Sequence, residues 1–101
     1  MIKSATMIFA ILAGLGGTLS VQASDNLRVR LLASTCATCH GPGGHSLGAI
    51  PSIAGQEKDY LQVAMLEQRS GERETTVMRK YMNGYTAEEI GQLAEYFSKL
   101  K

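Results

Sequence analysis

A chain of 101 residues has room for a single domain, and its 10 basic against 9 acidic side chains leave it close to neutral. No basic stripe or block of like charge is present, so the sequence gives no electrostatic basis for binding nucleic acid or an anionic membrane surface.

The chain opens like a secretory leader. Lys3 supplies a short positive start, Met7 to Leu19 is apolar and glycine-rich, and Val21-Gln22-Ala23 places small residues at the minus-three and minus-one positions. The apolar run is shorter than the roughly 18 residues that read as a membrane span, and no stop-transfer flank follows. The expected organisation is a leader over 1–23, cleaved after Ala23 on export to the periplasm, and a domain over 24–101. Losing Lys3 takes the ten basic residues to nine, against nine acidic ones. A mature chain of about 78 residues buries a small core and needs a covalent or metal-centred brace.

Asp25 or Asn26 can cap a first helix, with Leu27, Leu31 and Ser34 on one face and Val29, Leu32 and Ala33 beside it. From Gly41 to Gly55 the composition shifts to glycine, proline, serine and alanine, which predicts a long irregular loop. Connections beyond about a dozen residues are usually functional or wrapped around something. A second helix is expected from Glu57 to Ser70, with Tyr60, Leu61, Ala64 and Met65 as its apolar face and Gly71 as its stop. Arg73 to Gly84 holds one or two helical turns before an Asn83-Gly84 turn. Thr86 and Glu89 form a capping box, and Ile90, Leu93, Ala94 and Phe97 fall on one stripe of a last helix. No strand pattern or internal repeat competes, and the fold class is all-α.

At the end of the first helix stands Cys36-Ala37-Thr38-Cys39-His40, the C-x-x-C-H attachment signature of c-type haem. Thiols three residues apart on one helical turn can reach the two vinyl groups of a porphyrin. The adjacent His40 then lies under the iron as an axial ligand. A thioredoxin-like dithiol would need a βαβ context, and a structural zinc would need a fourth ligand when His45 is the one other histidine. A structural disulfide is open to two cysteines in an oxidising compartment, while the immediately following histidine, the export leader and the all-helical pattern weigh toward haem attachment. A second axial ligand is commonly methionine, whose thioether favours ferrous iron. Met65, Met78 and Met82 are the candidates in the mature chain, and Met78 and Met82 share a face if their segment is helical. Met65 reads as core filling beside Leu61. His45, in a glycine-rich loop, reads as a solvated histidine.

The order C-A-T-C-H-G-P-G-G-H-S, P-S-I-A-G-Q, Y-L-Q-V-A-M-L-E-Q-R-S-G-E-R and V-M-R-K-Y-M-N-G-Y-T-A-E-E-I resembles the small bacterial class I cytochromes c. It is similar in particular to the cytochrome subunits of flavocytochrome c sulfide dehydrogenases and to each half of the periplasmic dihaem cytochromes. The resemblance covers essentially the whole mature chain. It implies a class I fold of three to four helices around one covalent haem, with the first and last helices packed through Leu31 and Leu32 against Leu93 and Phe97. It selects Met78, eight residues before the capping Thr86, as the iron ligand, with Met82 the alternative because the family more often has an aliphatic residue there. It also implies that the carbonyl of Pro51, rather than Pro42, holds the axial histidine, although Pro51 also suits a turn. Arg69 and Arg73 have the chemistry to meet a haem propionate, but both read more simply as a solvated helix end.

With both axial positions filled, the remaining chemistry is outer-sphere electron transfer, and the chain has no catalytic site of its own. The resemblance implies a flavoprotein partner that oxidises sulfide. A free carrier between a dehydrogenase and a terminal oxidase is the rival reading, and an open-site gas-binding or peroxidatic haem protein is the next. Balanced charge favours a permanent partner over electrostatically steered encounters.

Overall fold

The computed structural model describes residues 16–101, with side chains from residue 26 onward. Residues 1–15, which hold most of the expected leader, lie outside the described residues. Among the described residues there are four helices and no strand: α1 Gly16–His40, α2 Lys58–Ser70, α3 Met78–Met82 and α4 Ala87–Ser98. No described helix is long and apolar enough to cross a membrane.

α1 does not begin at Asp25 or Asn26, as the capping residues suggest, but runs back to Gly16. No proline interrupts that stretch, and a nucleated helix gains one hydrogen bond for each residue added. The phase of α1 also differs from the sequence reading. Leu27 and Leu31 face solvent, Leu31 at 62% exposure, and the buried seam runs through Ala33 with Leu32 and Cys36 against the core. Leu31 therefore takes no part in the expected contact with α4, whereas Leu32 does border the core cluster. Counting back from His40 through Cys36, Ala33 and Val29 in steps of three and four traces the inward face, so the motif sets the phase and the leucines follow.

α2 starts one residue later than expected and ends where Gly71 adopts a left-handed φ of 88°. Its buried seam is centred on Leu61, flanked by Ala64 and Met65, and Tyr60 stands on the exposed flank beside Val63. α3 is a single five-residue turn of helix. α4 opens with both arms of the capping box made: Glu89 N–H donates to Thr86 Oγ1 at 3.1 Å, and Thr86 N–H donates to Glu89 Oε1 at 2.9 Å. Ile90, Leu93 and Ala94 are completely buried and Phe97 nearly so. Burying each large apolar side chain of this kind contributes about 1.5–3 kcal/mol.

α4 is the hub, with α1 and α2 packed on it and α3 packed on α2. A single core cluster joins Ala33 of α1, Leu61 of α2 and Leu93, Ala94 and Phe97 of α4. An ion pair at 2.9 Å between Arg28 and Glu89 ties α1 to the start of α4 at the surface.

The loop after α1 is irregular apart from a 3-10 turn at Pro42–Gly44. Gly41 makes the sharp exit from α1 at φ 87°, where an added Cβ would stand 1.9 Å from the His45 carbonyl oxygen. The Gly44 carbonyl accepts from Ile53 N–H at 2.9 Å and Ala54 N–H at 3.2 Å, closing the loop on itself. Gly55 N–H then donates to the Phe97 carbonyl at 2.9 Å, fastening the loop to the end of α4.

Candidate haem site

The last turn of α1 delivers Cys36, Cys39 and His40 to one cleft. Both cysteines are free thiols, Cys36 half-buried and Cys39 exposed. Burial pushes the Cys36 thiol above its ordinary pKa, and hydrogen bonds from Thr35 and from its own backbone pull it partly back. His40 is the one buried polar side chain among the described residues. Its Nδ1 lies 2.6 Å from the carbonyl oxygen of Pro51. A carbonyl can only accept, so Nδ1 carries the proton and the lone pair of Nε2 is left free for a metal.

The cleft has a cavity volume of about 220 Å³ and opens to solvent at its mouth. Its walls are mainly apolar and come from every part of the domain: Ile50, Pro51 and Ile53 from the loop, Met65 from α2, Val77, Met78, Tyr81 and Met82 around α3, and Phe97 from α4. All three candidate methionines therefore border the same space as His40. They differ in burial: Met82 is 1% exposed and wedged into the interior, whereas Met78 and Met65 are half-buried.

Other sequence candidates lie elsewhere. His45 does not line the cleft; its Nε2 meets the backbone carbonyl of Lys101 at 2.5 Å, so it is fixed by the chain rather than simply solvated. Pro42 opens the 3-10 turn and its carbonyl accepts from His45 N–H at 3.1 Å, not from His40. Arg73 pairs with Glu67 at 3.1 Å, and Arg69 is exposed in the last turn of α2. Neither arginine lines the cleft. Among the cleft residues that the sequence did not mark are two with hydroxyls in contact. Thr35 and Tyr85 meet there, their hydroxyl oxygens 2.6 Å apart. The adjacency of Thr35 to the motif is a signal for the first, and nothing in the local pattern marks the second.

These residues fit covalent haem: free thiols one helical turn apart, an imidazole with one nitrogen already committed, thioether sulfurs across the same cleft, and apolar walls.

Comparison with known proteins agrees with that fit. Over 81 residues the chain is 44% identical to the cytochrome subunit of sulfide dehydrogenase from Chlorobaculum tepidum, covering 80% of this chain and 74% of that one. It is 34% identical over 71 residues to a thiosulfate dehydrogenase electron acceptor from Thiomonas intermedia, covering 68% of this chain and 33% of that longer protein. It is 31% identical over 65 residues to cytochrome c-552 of Acidithiobacillus ferridurans, covering 64% of this chain and 28% of the relative. The family model for cytochrome c matches residues 29–101, from the middle of α1 through α4 and everything that lines the cleft. The chain thus belongs to the cytochrome c family, binds haem c and transfers electrons through it.

Proposed function

We propose that this cytochrome works in the periplasm as the haem subunit of a flavoprotein sulfide dehydrogenase, taking electrons from the flavin subunit. In this reading residues 1–23 are the export leader and residues 24–101 the mature domain. Cys36 and Cys39 would hold the haem through thioethers, and His40 and Met78 would be the two protein ligands to its iron. The bound haem supplies a one-electron ferric–ferrous couple.

The observation that carries the assignment of ligands is the 2.6 Å contact between His40 Nδ1 and the Pro51 carbonyl. It fixes the imidazole tautomer and ring plane and raises the basicity of Nε2. Met78 is favoured over Met82 by burial. A ligand must expose its sulfur to the cleft, as half-buried Met78 can, whereas Met82 is enclosed by protein on nearly all sides. The apolar walls would give the bound group a low local dielectric, which supports rapid electron exchange with little rearrangement.

The partner assignment rests on the similarity to a protein named as a sulfide dehydrogenase subunit. A free carrier is the second reading, favoured by the similarity to a protein named as an electron acceptor. Affinity purification of the tagged cytochrome from its native periplasm separates them. A stoichiometric flavoprotein whose flavin is reduced by sulfide and then reduces the haem is the expected result. A cytochrome recovered alone, yet reducible by a separately purified dehydrogenase, would establish the free carrier instead.

A further inference from the structure

The joint between α3 and α4 must hold still for Met78 to face the cleft, yet it is short, polar and exposed. Asn83, Gly84, Tyr85 and Thr86 make it, and among its side chains only that of Tyr85 is drawn inward. Tyr85 immediately precedes the capping Thr86, and its own N–H donates to the Met82 carbonyl at 3.2 Å. Its side chain crosses to α1, where the hydroxyl lies 2.6 Å from Thr35 Oγ1 and 3.4 Å from the Leu32 carbonyl. Thr35 Oγ1 is itself 3.0 Å from the same Leu32 carbonyl. Each hydroxyl has one proton, and the shorter distances assign them: Tyr85 donates to Thr35, and Thr35 donates to Leu32. Thr35 immediately precedes Cys36, and both Thr35 and Tyr85 line the cleft.

We infer that Tyr85 is a positioning residue for the distal ligand: its bond to Thr35 clamps the segment carrying Met78 to the helix carrying Cys36, Cys39 and His40. This rests on the ligand reading given above. The thioether binds ferrous iron better than ferric, so the ferric state is where the clamp matters. There an external base competes with Met78, and its apparent affinity rises with the fraction of molecules in which the methionine segment has swung away.

The test is imidazole titration of the ferric holoprotein, together with the weak methionine-to-iron charge-transfer band. Tyr85→Phe keeps the ring and removes the hydroxyl; Thr35→Val removes the other end. Each is expected to raise imidazole affinity roughly fivefold, the factor that one net hydrogen bond supplies. The double variant should go no further than either single one, because both remove the same bond. Thr35→Ser retains a hydroxyl and should bind imidazole like the unaltered protein. Arg28→Ala breaks the parallel surface link to Glu89 and should leave the affinity where it was. If Tyr85→Phe fails to fold, Thr35→Val against Thr35→Ser reads the same bond from α1.

Unchanged imidazole affinity in Tyr85→Phe and Thr35→Val overturns the inference, as does an equal rise in Arg28→Ala, which would reveal general loosening, or full additivity in the double variant. Met78→Ala distinguishes the two levels. If that variant keeps the charge-transfer band, the ligand assignment fails and the clamp fails with it. If it loses the band while Tyr85→Phe behaves as unaltered protein, only the clamp is lost.

Discussion

The imidazole of His40 is held through Nδ1 by the backbone of Pro51, 2.6 Å away across the loop that follows α1. The acceptor is a carbonyl, so no side-chain change deletes it. What a substitution can alter is how firmly the loop presents it. Pro51→Gly releases φ and weakens the bond, making Nε2 a poorer donor to ferric iron. Loss of one such bond corresponds to about 1 kcal/mol, or about 40 mV for one electron. The expected outcome is a reduction potential raised by up to about that amount, read by spectroelectrochemistry.

Met78 and Met82 are one helical turn apart and both reach the cleft, but their roles should separate on substitution. Met78→Ala is expected to abolish the charge-transfer band, lower the potential and open the iron to carbon monoxide in the ferrous state. Met82→Ala should keep the band and instead lower thermal and urea stability. Met82 is 1% exposed, and truncating a buried methionine costs about 2–5 kcal/mol. Reversal of the two phenotypes would exchange the assignments.

Gly41 should tolerate no side chain. At φ 87° an L-residue is strained by about 1–2 kcal/mol, and the added Cβ would overlap the His45 carbonyl oxygen at 1.9 Å. The chain would have to leave α1 in another direction, moving the whole loop that carries Pro51. Gly41→Ala is expected to cut the yield of haem-loaded protein sharply, as measured by the ratio of haem absorbance to total chain after expression. An undiminished ratio would mean that the loop has an alternative path.

The capping box of α4 predicts an acid limb of stability. The Glu89 carboxyl is held below its ordinary value of 4.5, first by the Thr86 backbone N–H, then against a partial desolvation that opposes it, with the Thr86 hydroxyl and Arg28 adding to the lowering. A depressed folded-state value means that the stabilisation is complete above the ordinary carboxylate range and is lost as pH falls through the lower folded value. Urea midpoints of the holoprotein should therefore be flat above that range and decline below it. Glu89→Gln should show a shallower decline, and Thr86→Ala should lose about 1 kcal/mol at neutral pH. Equal acid slopes for Glu89→Gln and the unaltered protein would remove Glu89 from the account.

The motif, the four-helix layout and the stripe of α4 were legible because each is local: a five-residue chemical signature, a capping box, apolar residues at offsets of three and four. The inward face of α1 was misjudged for a related reason. Leu27, Leu31 and Ser34 recur at offsets of four and three, and that spacing marked them as one face, whereas the helix is phased by Cys36 and His40 and buries Ala33 with Leu32 beside it. A helix that crosses close against α4 favours a small residue at the crossing. The extension of α1 to Gly16 was missed because a capping residue permits a helix start without requiring one. The meeting of Thr35 with Tyr85 was beyond a sequence reading, since it depends on how α1 crosses α4 and on a turn with no periodic signature.

The link from Gly55 N–H to the Phe97 carbonyl has a bearing on the order of assembly. Delivered N-terminus first, the chain presents α1 and its cysteines well before α4. The loop that braces His40 is pinned to the end of α4, so the proximal side cannot lock while that helix is still missing. Arrival of Phe97 completes the core and closes the loop in one event, which makes the last helix the element that sets the brace on His40.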